Sequence, residues 1–181
     1  AFGYQNYNLA SLPTLGFDFG IHLGWKMNVD DATQNFIYLK PSLKLVIPLD
    51  RKEHIIFSTQ WNGQVIFNNR YEFYQASTIG GTGGVRGLRN ERYSGQRSYF
   101  QNTDIRWHIK SFKTGLLPMK WGLATAFDYG KVWISASSNK KWHQSAGLGS
   151  YLNIVGALTF SGMYHITDEG GRLVIGSGVN F

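Results

Sequence analysis

Period-two alternation is the feature that most limits what this chain can become. From Leu15 to Met27 every odd position carries a large apolar side chain: Leu15, Phe17, Phe19, Ile21, Leu23, Trp25 and Met27. The even positions between them carry Gly16, Asp18, Gly20, His22, Gly24 and Lys26. Side chains alternate faces along a strand, so this segment is a strand with one apolar face and one small or polar face. The same writing recurs at 37–49, 55–67, 98–110, 119–133, 145–154, 158–166 and 172–181. In the fourth of these eight, Tyr99, Ile105, Trp107 and Ile109 oppose Asn102, Asp104, Arg106, His108 and Lys110. Pro41 falls on the apolar face of the second, which predicts a bulge or a weakly paired position there.

About eight strands of this length suit a tilted membrane strand, which needs roughly 9–11 residues. A soluble sandwich would bury its apolar faces against each other and solvate the polar ones. A membrane barrel turns the apolar face to lipid and the polar face to its lumen. The aromatic content of 15% and the 22 glycines favour the barrel. So do Trp25, Trp61, Trp107, Trp121 and Trp133, which fall mostly near strand ends, where interfacial girdles sit. Connections broadly alternate in length, as periplasmic turns and extracellular loops do. Tight turns stand at 50–53 and around Val155-Gly156; longer links stand at 28–35, 68–96 and 135–144. The link at 111–118 is of medium length on the short side. The reading is therefore one all-β domain over 1–181, an antiparallel transmembrane β-barrel with a long loop at 68–96.

Most chemistries find no support. With no cysteine, a disulfide framework or thiolate metal site is excluded. His22, His54, His108, His143 and His165 lack metal-ligand spacing, so no metal and no cofactor is expected. Asp18 and Asp104 read as isolated polar-face carboxylates, not an acid–base pair, and no nucleophile elbow occurs, so no enzyme is expected. The glycine-rich 80–87 segment lacks the Gly-Lys-Ser/Thr ending of a phosphate cradle. Net charge is +7, yet Arg86, Arg89, Arg92, Arg97, Lys140 and Lys141 are spread over lumen positions and loops, which argues against nucleic acid. Contact of the outer loops with lipopolysaccharide is a more natural use of that charge. No run of about 18 apolar residues exists for a spanning helix. No signal peptide opens the chain, which predicts a processed chain or, as favoured here, a fragment.

The 68–96 loop contains Gly80-Gly81-Thr82-Gly83-Gly84-Val85-Arg86-Gly87-Leu88. It closely resembles the signature of the BamA/TamA superfamily of outer-membrane assembly and secretion barrels. In that family the loop folds back into the barrel and its arginine pairs with an acidic residue two strands later. The matching position here is Asp128, in Phe127-Asp128-Tyr129-Gly130-Lys131-Val132-Trp133, which resembles the family's wall motif. By alternation Asp128 lies on the polar face. The family has five strands after this loop and ends on an aromatic targeting residue; this chain has five and ends at Phe181. Leu88 departs from the family's usual Phe or Tyr. A family barrel has sixteen strands behind periplasmic POTRA domains, so the chain is expected to be the C-terminal half of such a barrel.

The resemblance implies a bacterial outer-membrane location and insertion or translocation of other proteins. Implied partners are outer-membrane lipids, unfolded β-barrel clients and periplasmic or lipoprotein accessory subunits. Clients would pair by strand addition at a seam formed in part by the last strand, which Gly176 and Gly178 weaken. Two other readings stay open: a barrel anchoring an upstream patatin-like or metallophosphoesterase enzyme, and a small passive barrel.

Overall fold

The computed structural model describes residues 1–8, 12–26, 35–67, 75–113, 117–134 and 141–178. Nine strands make one antiparallel sheet: β1 (Phe2–Tyr7), β2 (Gly16–Lys26), β3 (Phe36–Pro48), β4 (Ile55–Ile66), β7 (Arg97–Lys113), β8 (Pro118–Trp133), β9 (His143–Ile154), β10 (Leu158–Thr167) and β11 (Gly170–Gly178). They pair in chain order, with a separate ribbon of β5 (Ser77–Ile79) and β6 (Tyr93–Gly95) between β4 and β7. Every neighbour in the main sheet is antiparallel, the pattern of a meander wall.

Burial runs opposite to that of a soluble domain. Arg106 is 2% exposed and Asp128 and His165 are 0% exposed, while Leu148 is 62% and Ile175 75% exposed. Along β2–β4 and β7–β11 the large apolar side chains mostly face outward and the charged ones mostly inward. Lys44 and Ser58 on β3 and β4 line the same cavity as Ser161 and Val174 on β10 and β11, so the sheet curls around its polar face. Inside, Leu12 packs on Ala124, Ala126, Tyr151 and Met163, and Arg106 Nη2 donates to the Pro13 carbonyl at 2.5 Å. Water or protein must satisfy those inner groups; lipid must accept the outer ones. Placing a charge at mid-strand on the outer face is therefore costly. We expect Leu148→Arg to destabilise the folded barrel by about 2–4 kcal/mol. Urea titration of folding into lipid vesicles reads this, and an unchanged midpoint would contradict the outward assignment.

Three details depart from the alternation. The sheet has one strand more than the eight expected, because β1 spans only six residues and shows no clean apolar face. Its register is set by β2, with Tyr4 opposite Phe19 and Asn6 opposite Phe17. Lys110, expected inside, pairs with Trp121 on the outer face, because the β7–β8 register shifts between His108 and Lys110. One inserted residue reverses the facing of everything beyond it. The third departure is the ribbon within the supposedly irregular 68–96 loop. Pro41 pairs with Ile21 on β2, but the β3–β4 ladder skips from Leu39–Val65 to Ser42–Asn62 around it, as a ring without an N–H dictates.

One polar cluster sits on the outer wall and satisfies itself. Gln101 Nε2 donates to Thr59 Oγ1 at 3.0 Å and Thr103 Oγ1 at 3.2 Å, and its Oε1 accepts from Tyr129 Oη at 2.5 Å. Such closure lets a polar side chain face hydrocarbon without an orphaned group.

Candidate functional site

The 75–96 segment is built to reach the inner wall and stay there. The β5–β6 ribbon gives it a rigid stem, with Ser77 opposite Gly95 and Ile79 opposite Tyr93. The stem docks on β7 through a buried Ser77–Ser98 hydroxyl contact. A single 3-10 turn at Gly81–Gly83 reverses the chain. It then delivers Gly84 to Leu88 against β7, β8 and β10.

Each residue of that run has a distinct contact. The Gly84 carbonyl accepts from Asn102 Nδ2 at 2.9 Å. Val85 is fully buried against Gly130, where an added Cβ would lie 2.9 Å from Val85 Cγ2. Gly130 thus clears the space that Val85 fills. Arg86 meets Asp128 as a fork: Nε donates to Oδ2 at 2.9 Å and Nη2 to Oδ1 at 2.6 Å. The Arg86 backbone N–H also donates to Asp128 Oδ2 at 2.9 Å. Gly87 adopts φ +89° beside His165, Thr167 and Ser145. Leu88 is buried, and its carbonyl accepts from Arg172 Nη1 at 3.3 Å.

Asp128 therefore takes three hydrogen bonds from one residue while fully buried. A bidentate, charge-assisted pair of this kind fixes orientation as well as distance. A second carboxylate shares the charge. Asp104 Oδ1 lies 2.9 Å from Arg86 Nη2, a second ion pair on the nitrogen that also meets Asp128. Asp104 is thus not the isolated carboxylate the sequence implied. Register explains why: Asn102 faces Asp128 and Asp104 faces Ala126, which puts both carboxylates on one face of adjacent strands. His165 completes the seat. Its Nδ1 lies 3.0 Å from Ser145 Oγ, and Gly147 leaves room for the ring, which would lie 2.7 Å from a Cβ there.

A cavity of about 230 Å³ lies next to this seat, lined by Lys44, Gln60, Arg86, Asp104, His165 and Gly176 among others. Gly176 pairs with Ser161, and Gly178 with Thr159, on the β10 side of β11. Phe181 lies outside the described residues.

The loop has a second attachment at its rim that the sequence did not disclose. Arg92 Nε donates to Glu169 Oε1 at 2.7 Å and Tyr93 Oη to the same oxygen at 2.6 Å. The Tyr93 hydroxyl, followed by the Arg92 guanidinium, holds the Glu169 carboxyl below its usual value of 4.5. Burial and the same contact push the Tyr93 phenol up to about 12. A carboxyl with a depressed folded-state value favours the tied state above about 4.5 and loses that contribution as pH falls through the lower value. Being exposed, the tie also weakens with salt. We expect amides near 89–95 to lose exchange protection below pH 4.5, or in Glu169→Gln at neutral pH, while the buried Arg86 seat persists. Hydrogen exchange resolved by segment reads both; equal loss at both places would show that the two attachments are one.

Residues 3–153 match the family model described as haemolysin secretion/activation protein ShlB/FhaC/HecB. No curated protein sequence matches. Among solved structures, BamA from Haemophilus ducreyi lacking POTRA domains 1–3 is similar in fold, with a TM-score of 0.67 at 14% identity. That likeness covers 97% of this chain and 41% of the BamA chain, so this chain spans less than half of its length.

Proposed function

Because the chain belongs to the haemolysin secretion/activation family ShlB/FhaC/HecB, whose members are bacterial outer-membrane barrels, we propose that it forms part of a pore that exports a partner polypeptide. One observation carries this reading: a polar inner wall crossed by a loop that is held by Arg86 between Asp104 and Asp128. A wall of Lys44, Ser58, Gln60, Asn102 and His165 offers hydrogen bonds to water and to a passing polypeptide, not to lipid. An ion-pair latch suits a loop that must take one position, because it fixes geometry more than it adds net stability. The loop motif Gly84 to Leu88, with Asp128 and Gly130, is the positioning element in this proposal.

A second reading, insertion of client barrels, draws on β11. Gly176 and Gly178 leave that strand with little side-chain packing, which suits exchange of strand partners. Periplasmic and lipoprotein accessory subunits belong to this second reading.

Deleting the full-length gene separates the two. Export predicts that one secreted polypeptide disappears from the medium and collects in the periplasm. Client insertion predicts a general fall in outer-membrane barrels with secretion otherwise intact. If neither changes, both readings fail.

A further inference from the structure

The outer wall near the loop end carries a notch whose chemistry matches one kind of lipid. Ala146 on β9 stands in register between Phe127 on β8 and Ile166 on β10. All three face outward, so a methyl group lies between two large apolar side chains. The result is a groove of about 320 Å³ that Trp142 and Gln144 close toward the rim. An acyl chain lying along the barrel fits the apolar contact that Phe127, Ala146 and Ile166 offer, with Ser145, Thr167 and Asp168 also in the lining.

Directly above, the charge is positive and the surroundings aromatic. Lys131 points outward on β8, opposite Tyr99 on β7. Its ammonium lies 5.3 Å from the Trp133 ring and 5.6 Å from the Trp142 ring. Trp142 packs on Tyr99, Tyr129 and Trp133 with centroids 5.7–6.4 Å apart. Lys131 is only 9% exposed, and no carboxylate pairs with it among the described residues. Arg97 on β7 faces outward beside it, opposite Trp133. The acidic residue at the groove's upper end, Asp168, is already met by Lys141 Nζ at 2.7 Å, which removes the obvious repulsion of an anion. A cation held in an aromatic belt at the membrane surface attracts an anionic headgroup.

We propose that this groove and its cations are a binding site for lipopolysaccharide, with Lys131 at a phosphate of the lipid A head and one acyl chain in the Phe127–Ala146–Ile166 notch. The site is separate from the lumenal loop seat and does not depend on what the barrel transports. Its placement at the long-loop end puts it at the outer leaflet, where phosphorylated glycolipid is the available partner.

The full-length protein in detergent, challenged with purified bisphosphorylated lipid A or with phosphatidylglycerol, tests this by native mass spectrometry. Unboiled gel mobility verifies folding of every variant. Wild type is expected to retain lipid A in preference to phosphatidylglycerol. Lys131→Met is expected to lower lipid A retention about fivefold, the contribution of one basic residue at a lipid surface. Ala146→Phe fills the notch and is expected to reduce retention at least as much without touching any charge. The proposal is overturned if both folded variants retain lipid A like wild type, or if phosphatidylglycerol is held equally well, which would mark a general anionic-lipid contact.

Discussion

Arg86→Ala should release the 84–90 segment from the inner wall while leaving the sheet folded. The substitution strands two buried carboxylates, Asp104 and Asp128, on neighbouring strands with no cation between them. Removing one partner of a buried pair costs about 3–5 kcal/mol. That shifts the ratio of seated to released loop by roughly a hundredfold to a few thousandfold. The loss has little to do with barrel stability, because the nine-stranded ladder does not pass through Arg86. Hydrogen exchange should therefore show lost protection at 84–90 and retained protection in β7 and β8. Export of the partner should fall with it if the latch positions the loop for transport.

The variants should rank. Asp128→Asn keeps one acceptor and leaves Asp104 beside Arg86, so its effect is smaller than that of Arg86→Ala. Arg86→Lys keeps the charge but loses the fork that reaches both Asp128 oxygens, and should fall between wild type and alanine. A double-mutant cycle on Arg86 and Asp128 should give a coupling well above that of surface pairs. Wild-type protection of 84–90 in Arg86→Ala would remove the latch from the account.

What the sequence discloses follows from which interactions are local. Alternation needs only a strand and two solvents, so β2 (Gly16–Lys26) is legible without any tertiary knowledge. Asp128 was legible because a motif and an alternation count agree on its face. Asp104 shared that face, yet its partnership required the β7–β8 register, which a single sequence does not print. Lys110 was misplaced for the related reason that a bulge leaves no mark in the pattern. The β5–β6 ribbon has three residues per strand, too few for a period to show. The Arg92–Glu169 tie joins residues 77 positions apart, and only the seated loop brings them together. The family was legible for the same reason as the latch: a motif names it. The lipid-facing notch at Ala146 shows only when three strands are laid in register.

Gly87→Val should unseat the same loop by a different route. Gly87 sits at φ +89°, a region that β-branched residues essentially do not enter. Forcing it there costs about 1–3 kcal/mol. Space is lacking as well. The first added carbon would lie 2.7 Å from His165 Cβ, 3.0 Å from Thr167 Cγ2 and 3.2 Å from Ser145 Oγ. His165 cannot retreat easily, because Gly147 packs against the back of its ring and Ser145 holds its Nδ1. The backbone must therefore lift away, and Arg86, one residue earlier, must leave Asp128 with it. Gly83→Ala in the same loop is the control, since nothing lies within 4 Å of the position its Cβ would take. We expect Gly87→Val to match Arg86→Ala in exchange at 84–90 and in export, and Gly83→Ala to match wild type in both. The comparison separates charge from shape. Arg86→Ala removes the attraction and keeps the fit, whereas Gly87→Val keeps both charges and removes the fit. If each alone releases the loop, seating requires the two together; if Gly87→Val stays seated, the ion pair is strong enough to deform the wall, and the close packing at His165 is not a condition for function.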